Sequence, residues 1–130
     1  MKDLRLTITI GAPINDLFWF TLNPKNTSKW VDGITAEKTS EWPTKLGTEY
    51  QNTSDGSRWT TYVITNFDEP TSFTMSDLKT GYNVRYAFKQ LDEEVTFLEY
   101  YEWMSDGELD EPFSLAHLEK LKQVVELELG

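Results

Sequence analysis

Glu99 stands in the run Phe97-Leu98-Glu99-Tyr100-Tyr101, a carboxylate among large apolar and aromatic side chains. Side chains two apart on a strand share a face, so extended backbone here sets Glu99 between Phe97 and Tyr101. A carboxylate on an apolar face is costly to ionise unless hydrogen bonds support it, which suits it to proton transfer. The hydroxyls of Tyr86 and Tyr101 are candidate supports. Two readings stand for Glu99: an acid/base or ligand-orienting group inside a cavity, and a sheet-edge glutamate that reaches water.

The remaining inventory excludes most catalytic machinery. One histidine, His117, and no cysteine leave too little for a nucleophilic triad, a thiolate or a zinc site. The seven glycines are scattered, without the spacings that cradle phosphates, so neither a nucleotide nor any other cofactor is expected. Asp106, Glu108, Asp110 and Glu111 crowd one stretch but read as a solvated connection rather than a calcium loop, and no metal is expected. Arg85 and Glu102 are assigned to the outer sheet face as an exposed pair. His117 reads either as a boundary residue of the last helix or as a proton shuttle at a cavity mouth.

Aromatic residues make up 14% of the 130 residues, with five Trp, six Tyr and seven Phe. Tyr50, Trp59, Phe73, Tyr86 and Tyr101 belong to a set bulkier than one covering helix needs. Such a wall suits a small, planar or lipophilic ligand, although core packing must use many of its members.

The net charge of −10 is carried by residues 91–130, where the only bases are Lys120 and Lys122; residues 1–90 are neutral. A polyanion would be repelled, so nucleic acid is not an expected partner. The longest apolar run, Leu17 to Phe20, is far too short for membrane insertion, and with no targeting signal in view a cytoplasmic protein is expected.

The elements that must position these residues follow from periodicity. Leu4, Leu6, Ile8 and Ile10 alternate with polar residues, which marks a half-buried strand. Pro13 then opens a helix through Leu17 and Leu22, and a second short helix ends near Trp30. From Ile34 to Met104 the composition is that of strands and turns. Asp55-Gly56 reads as a two-residue hairpin turn that pairs Asn52 with Trp59 and Tyr50 with Thr61. Asp92-Glu93 reads as a second one, pairing Tyr86 with Glu99 and Phe88 with Phe97. Leu115, Leu118, Leu121 and Val125 recur at helical spacing after Pro112, and their stripe must cover the sheet. The fold class is α+β, in a single domain over residues 1–130.

Several short motifs occur in a definite order: Ala12-Pro13 before Leu17-Phe18-Trp19, then Lys29-Trp30, Leu46-Gly47-Thr48-Glu49-Tyr50 and a Trp59-bearing strand. Phe67-Asp68-Glu69-Pro70 and Leu118-Glu119-Lys120-Leu121-Lys122 complete the series. Together they resemble the START-like, helix-grip superfamily called SRPBCC, most closely its polyketide cyclase/dehydrase-like branch. The resemblance implies a curved antiparallel sheet of about seven strands gripping a C-terminal helix, with a ligand cavity between them. Tyr50, Trp59, Phe73, Tyr86, Tyr101, Leu118 and Leu121 would then contact a small hydrophobic molecule. The alternatives are a cyclase/dehydratase-like enzyme using Glu99 and pocket tyrosines, and a module resembling the activators of the large heat-shock ATPase chaperone. The last would use the acidic C-terminal region as its contact surface, with a protein partner that the residues do not name.

Overall fold

A computed structural model of the chain describes residues 2–110 and 112–129, so Glu111 of the acidic stretch lies outside the described residues. The first strand, β1 (Asp3–Ile10), turns its leucines and isoleucines inward, as their alternation requires. Pro13, in extended conformation, ends the turn and precedes α1 (Ile14–Leu22), which buries Leu17, Phe18 and Leu22. A single helical turn, α2 (Thr27–Trp30), follows and buries Trp30. The β region contains β2 (Ala36–Thr39), β3 (Glu49–Thr53), β4 (Thr60–Asp68), β5 (Ser72–Asp77), β6 (Tyr82–Asp92) and β7 (Val95–Met104). The chain closes with α3 (Leu115–Leu129), which starts three residues beyond Pro112 and buries Leu118, Leu121 and Val125.

All seven strands form one antiparallel sheet in the order β1-β7-β6-β5-β4-β3-β2. Register shifts after Ile64 and after Gln90 add curvature, because a bulge bends its strand and increases the local twist. The concave face carries Ile10, Leu98, Phe88 and Phe73, which pack on α1 and on the stripe of α3. Among the described residues, no helix is long and apolar enough to cross a membrane.

Both hairpins differ by one residue from the sequence reading. In the first, Asp55 Oδ1 accepts the backbone N–H groups of Ser57 and Arg58 at 2.8 and 2.9 Å, and Gly56 takes φ +82°. An aspartate that binds the following backbone in this way opens the turn into a wider loop. Asn52 therefore pairs with Thr60 and Tyr50 with Tyr62. In the second, the turn falls at Glu93-Glu94, where Asp92 pairs with Val95. Tyr86 then faces Tyr100, and Val84 faces Glu102. A slip of one residue exchanges the faces of a strand, so Glu102 points inward and Glu99 outward.

Candidate functional site

The concave side of the sheet holds a cavity of about 120 Å³. Its floor is built from Tyr62 of β4, Phe73 and Met75 of β5, Val84 and Tyr86 of β6, and Tyr100 of β7. The opposite wall comprises Trp30, Val31 and Ile34 in and after α2, together with Phe113 on the approach to α3. No residue of α3 lines it, so the cavity lies between the sheet and the α2 region rather than between the sheet and the C-terminal helix.

Ring contacts fix the shape of the wall. Phe73 stacks on Tyr86 at 4.7 Å, Tyr86 meets Tyr100 edge-on at 5.3 Å, and Phe113 stacks on Tyr100 at 4.6 Å. Trp30 stands edge-on to both Tyr86 and Phe113. Interlocked rings of this kind hold one another in place, since each has few rotamers that avoid its neighbours.

Two carboxylates serve this site. Glu37 of β2 lines the cavity, where it accepts the Thr27 hydroxyl at 2.5 Å and the Asn52 amide at 3.4 Å. Burial pushes its pKa up to about 7, and the two hydrogen bonds offset only part of that rise. Glu102 sits behind the tyrosines and is 1% exposed. It accepts Tyr82 Oη at 2.5 Å, Tyr100 Oη at 3.0 Å and the backbone N–H of Phe113 at 2.8 Å. Glu102 thus ties the wall residue Phe113 to the sheet. Burial raises the Tyr62 hydroxyl to about 12 and lifts those of Tyr82, Tyr86 and Tyr100 as well, so all four stay protonated donors at neutral pH.

One polar atom of the wall has no partner. Trp30 is 1% exposed, and its Nε1–H makes no hydrogen bond among the described residues. A buried donor left unpaired costs about 1–3 kcal/mol.

The residues singled out from sequence fall into three groups. Phe73 and Tyr86 line the cavity. Tyr50, Leu118 and Leu121 are fully buried but do not reach it; the Tyr50 hydroxyl instead donates to Leu22 O at 2.6 Å. Tyr101 and Trp59 lie on the outer side, contrary to expectation, and Glu99 lies there too, which matches the second of its two readings, a glutamate that reaches water. Glu99 pairs with Arg5 at 2.7 Å, and the Arg5 guanidinium covers the Tyr101 ring at 4.2 Å. Trp59, displaced by the wider loop, lies under Lys38 Nζ and borders an outer groove with the Asp77–Thr80 turn. Arg85 pairs with Tyr101 on that face, whereas Glu102, expected beside it, has moved inside. His117 stacks on Phe113 at 4.4 Å, and its Nδ1 accepts the Ser114 N–H at 3.1 Å.

Glu37, Glu102 and Trp30 were missed as site residues. The short strand Ala36-Glu37-Lys38-Thr39 has no apolar alternation to show its inner face. The only signal for Glu102 lay in the length of the turn before it.

No family model matches the chain, and no curated protein matches it. Solved structures do. A protein of Mesorhizobium loti is similar over 98% of each chain, with 11% identity and a TM-score of 0.76. The protein XoxI from Bacillus cereus is similar over 98% of this chain and 99% of its own, at 15% identity and a TM-score of 0.72. Ara h 8.0201 is similar over 97% and 98%, at 17% identity and a TM-score of 0.66. With the seven-stranded antiparallel sheet, the two short helices after β1 and the closing helix, these likenesses establish one architecture. The chain shares the helix-grip fold of these structures.

Proposed function

We propose that residues 1–130 act as one binding domain for a small aromatic molecule, held between the tyrosine floor and Trp30. The observation that carries this reading is the cavity itself, lined by the rings of Trp30, Tyr62, Phe73, Tyr86 and Tyr100. Size narrows the class. A cavity of about 120 Å³ compares with the ~150 Å³ apolar cavities that take up benzene. The part of the ligand held in the cavity is therefore a single ring with short substituents.

The reading is tested by thermal shift and native mass spectrometry against monocyclic, polycyclic and long-chain compounds. Monocyclic compounds should raise the melting temperature, and Trp30→Leu, which removes part of the aromatic wall, should reduce their effect. Stabilisation by long-chain lipids alone would reject it.

A second reading, an enzyme of the cyclase/dehydratase kind, is favoured by one observation. Glu37 is a cavity carboxyl whose pKa of about 7 suits it to both taking and giving a proton near neutral pH. Under that reading Glu37→Gln abolishes turnover while ligand binding survives.

A further inference from the structure

We propose that the cavity selects small aromatic molecules carrying an ammonium group, with Glu37 as the counter-ion; this rests on the binding role proposed above. Among the described residues, the lining side chains include one carboxylate and no lysine, arginine or histidine. The nearby cations are engaged elsewhere. Lys29 of α2 reaches Glu128 at 3.0 Å, Lys38 covers Trp59 on the outer face, and Lys120 pairs with Asp32. Among the described residues, the elements packed around Glu37 offer it neutral groups: Thr27 from α2, Asn52 and Tyr50 from β3, Tyr62 from β4 and Tyr86 from β6. Two further buried carboxylates act on the lining tyrosines: Glu102 adds to the negative field on Tyr86 and Asp77 to that on Tyr62.

An anionic ligand would enter this site against these carboxylates, with no cation among the described lining residues to receive it. A neutral ligand would leave Glu37 as it is. An ammonium group supplies the missing positive charge and N–H donors, and the rings of Trp30, Tyr62 and Tyr86 attract cations through their quadrupoles. Binding is then linked to protons, because only the ionised Glu37 can pair with the ligand. Affinity for the amine rises with pH as Glu37 loses its proton, and it falls again only when the amine itself deprotonates, near pH 10.

The test compares three compounds of one shape: 4-(aminomethyl)phenol, 4-(hydroxymethyl)phenol and 4-hydroxybenzoate. Binding is followed by calorimetry from pH 5.5 to 8.5 and by the Trp30 indole N–H signal. The amine should bind at least about tenfold more tightly than the alcohol at pH 8, in line with the coupling of close charge pairs. Its affinity should rise across the range while that of the alcohol stays flat. Glu37→Gln should bring the amine down to the level of the alcohol. Equal affinity of amine and alcohol at pH 8, or tighter binding of the benzoate, overturns the ammonium class and leaves the cavity reading standing. If none of the three moves the Trp30 signal, both fall together. The pH profile of the unsubstituted protein decides the matter should Glu37→Gln fail to fold.

Discussion

The hydroxyl of Thr27 donates to the carboxylate of Glu37 at 2.5 Å and so joins the single turn of α2 to the edge strand β2. Asn52 holds the second carboxylate oxygen at 3.4 Å. These contacts aim a partly buried carboxylate at the aromatic cavity without neutralising it. Edge strand, short helix and cavity therefore share one group whose charge depends on pH.

Stability should record that group. The folded-state pKa of Glu37, about 7, lies above its ordinary value of 4.5, so the folded protein binds the extra proton between those limits. Below pH 4.5 the carboxyl is protonated in both states and exacts no penalty. As pH rises through 7 the folded state must ionise it, and on the order of 2 kcal/mol of stability is lost. Urea unfolding of Glu37→Gln at pH 5 and pH 8 should show most of this fall removed. An unchanged fall in the variant would assign it to other groups.

Asp55 acts in a separate window and with the opposite sign. The backbone N–H groups of Arg58 and Ser57 hold its pKa down, to about 2. Its contribution is present above pH 3.8 and is lost as pH falls through 2. Asp55→Asn should lower stability at pH 7 and bring it closer to the parent near pH 2, as acid unfolding curves would show. An equal deficit at both values would point to the turn geometry rather than to the charge.

Glu102 and Glu99 lie three residues apart on β7 and should respond very differently to substitution. Glu102→Ala strands two tyrosine hydroxyls and the Phe113 N–H in a buried setting, with a loss of about 3 kcal/mol. Glu99→Ala removes an outer-face ion pair with Arg5, and exposed pairs of this kind contribute at most about 1 kcal/mol. Chemical denaturation of both variants checks the contrast. Similar losses would place the two carboxylates in similar surroundings.

Ligand binding should separate the same two residues. Glu99→Gln should leave the affinity for a monocyclic ligand unchanged. Glu102→Gln should weaken it several-fold, because its amide cannot accept all three donors and Phe113 loses its anchor on the sheet. Calorimetric titration of each variant measures this directly.

The sequence made the fold legible because β1 and α3 present clean periods: alternate Leu and Ile in one, Leu118, Leu121 and Val125 in the other. The site was less legible for two physical reasons. On β7 both faces carry bulky side chains, Leu98 and Tyr100 on one, Phe97, Tyr101 and Trp103 on the other. Alternation then does not distinguish inside from outside, and the turn alone sets the register. That turn, Glu93-Glu94, contains no glycine or asparagine to mark it. On β2, Glu37 acquires its role from Thr27 and Asn52, which only the tertiary fold brings near.

The most direct measurement is the proton–nitrogen spectrum of the five tryptophan side chains during titration with 4-(hydroxymethyl)phenol. Trp30 lies in the cavity wall with an unpaired N–H, whereas Trp59 and Trp42 are exposed. A saturable shift of the Trp30 signal, with Trp59 and Trp42 unmoved, is the expected result. Shifts confined to Trp59 or Trp42, with Trp30 unchanged at saturation, would contradict binding in the cavity.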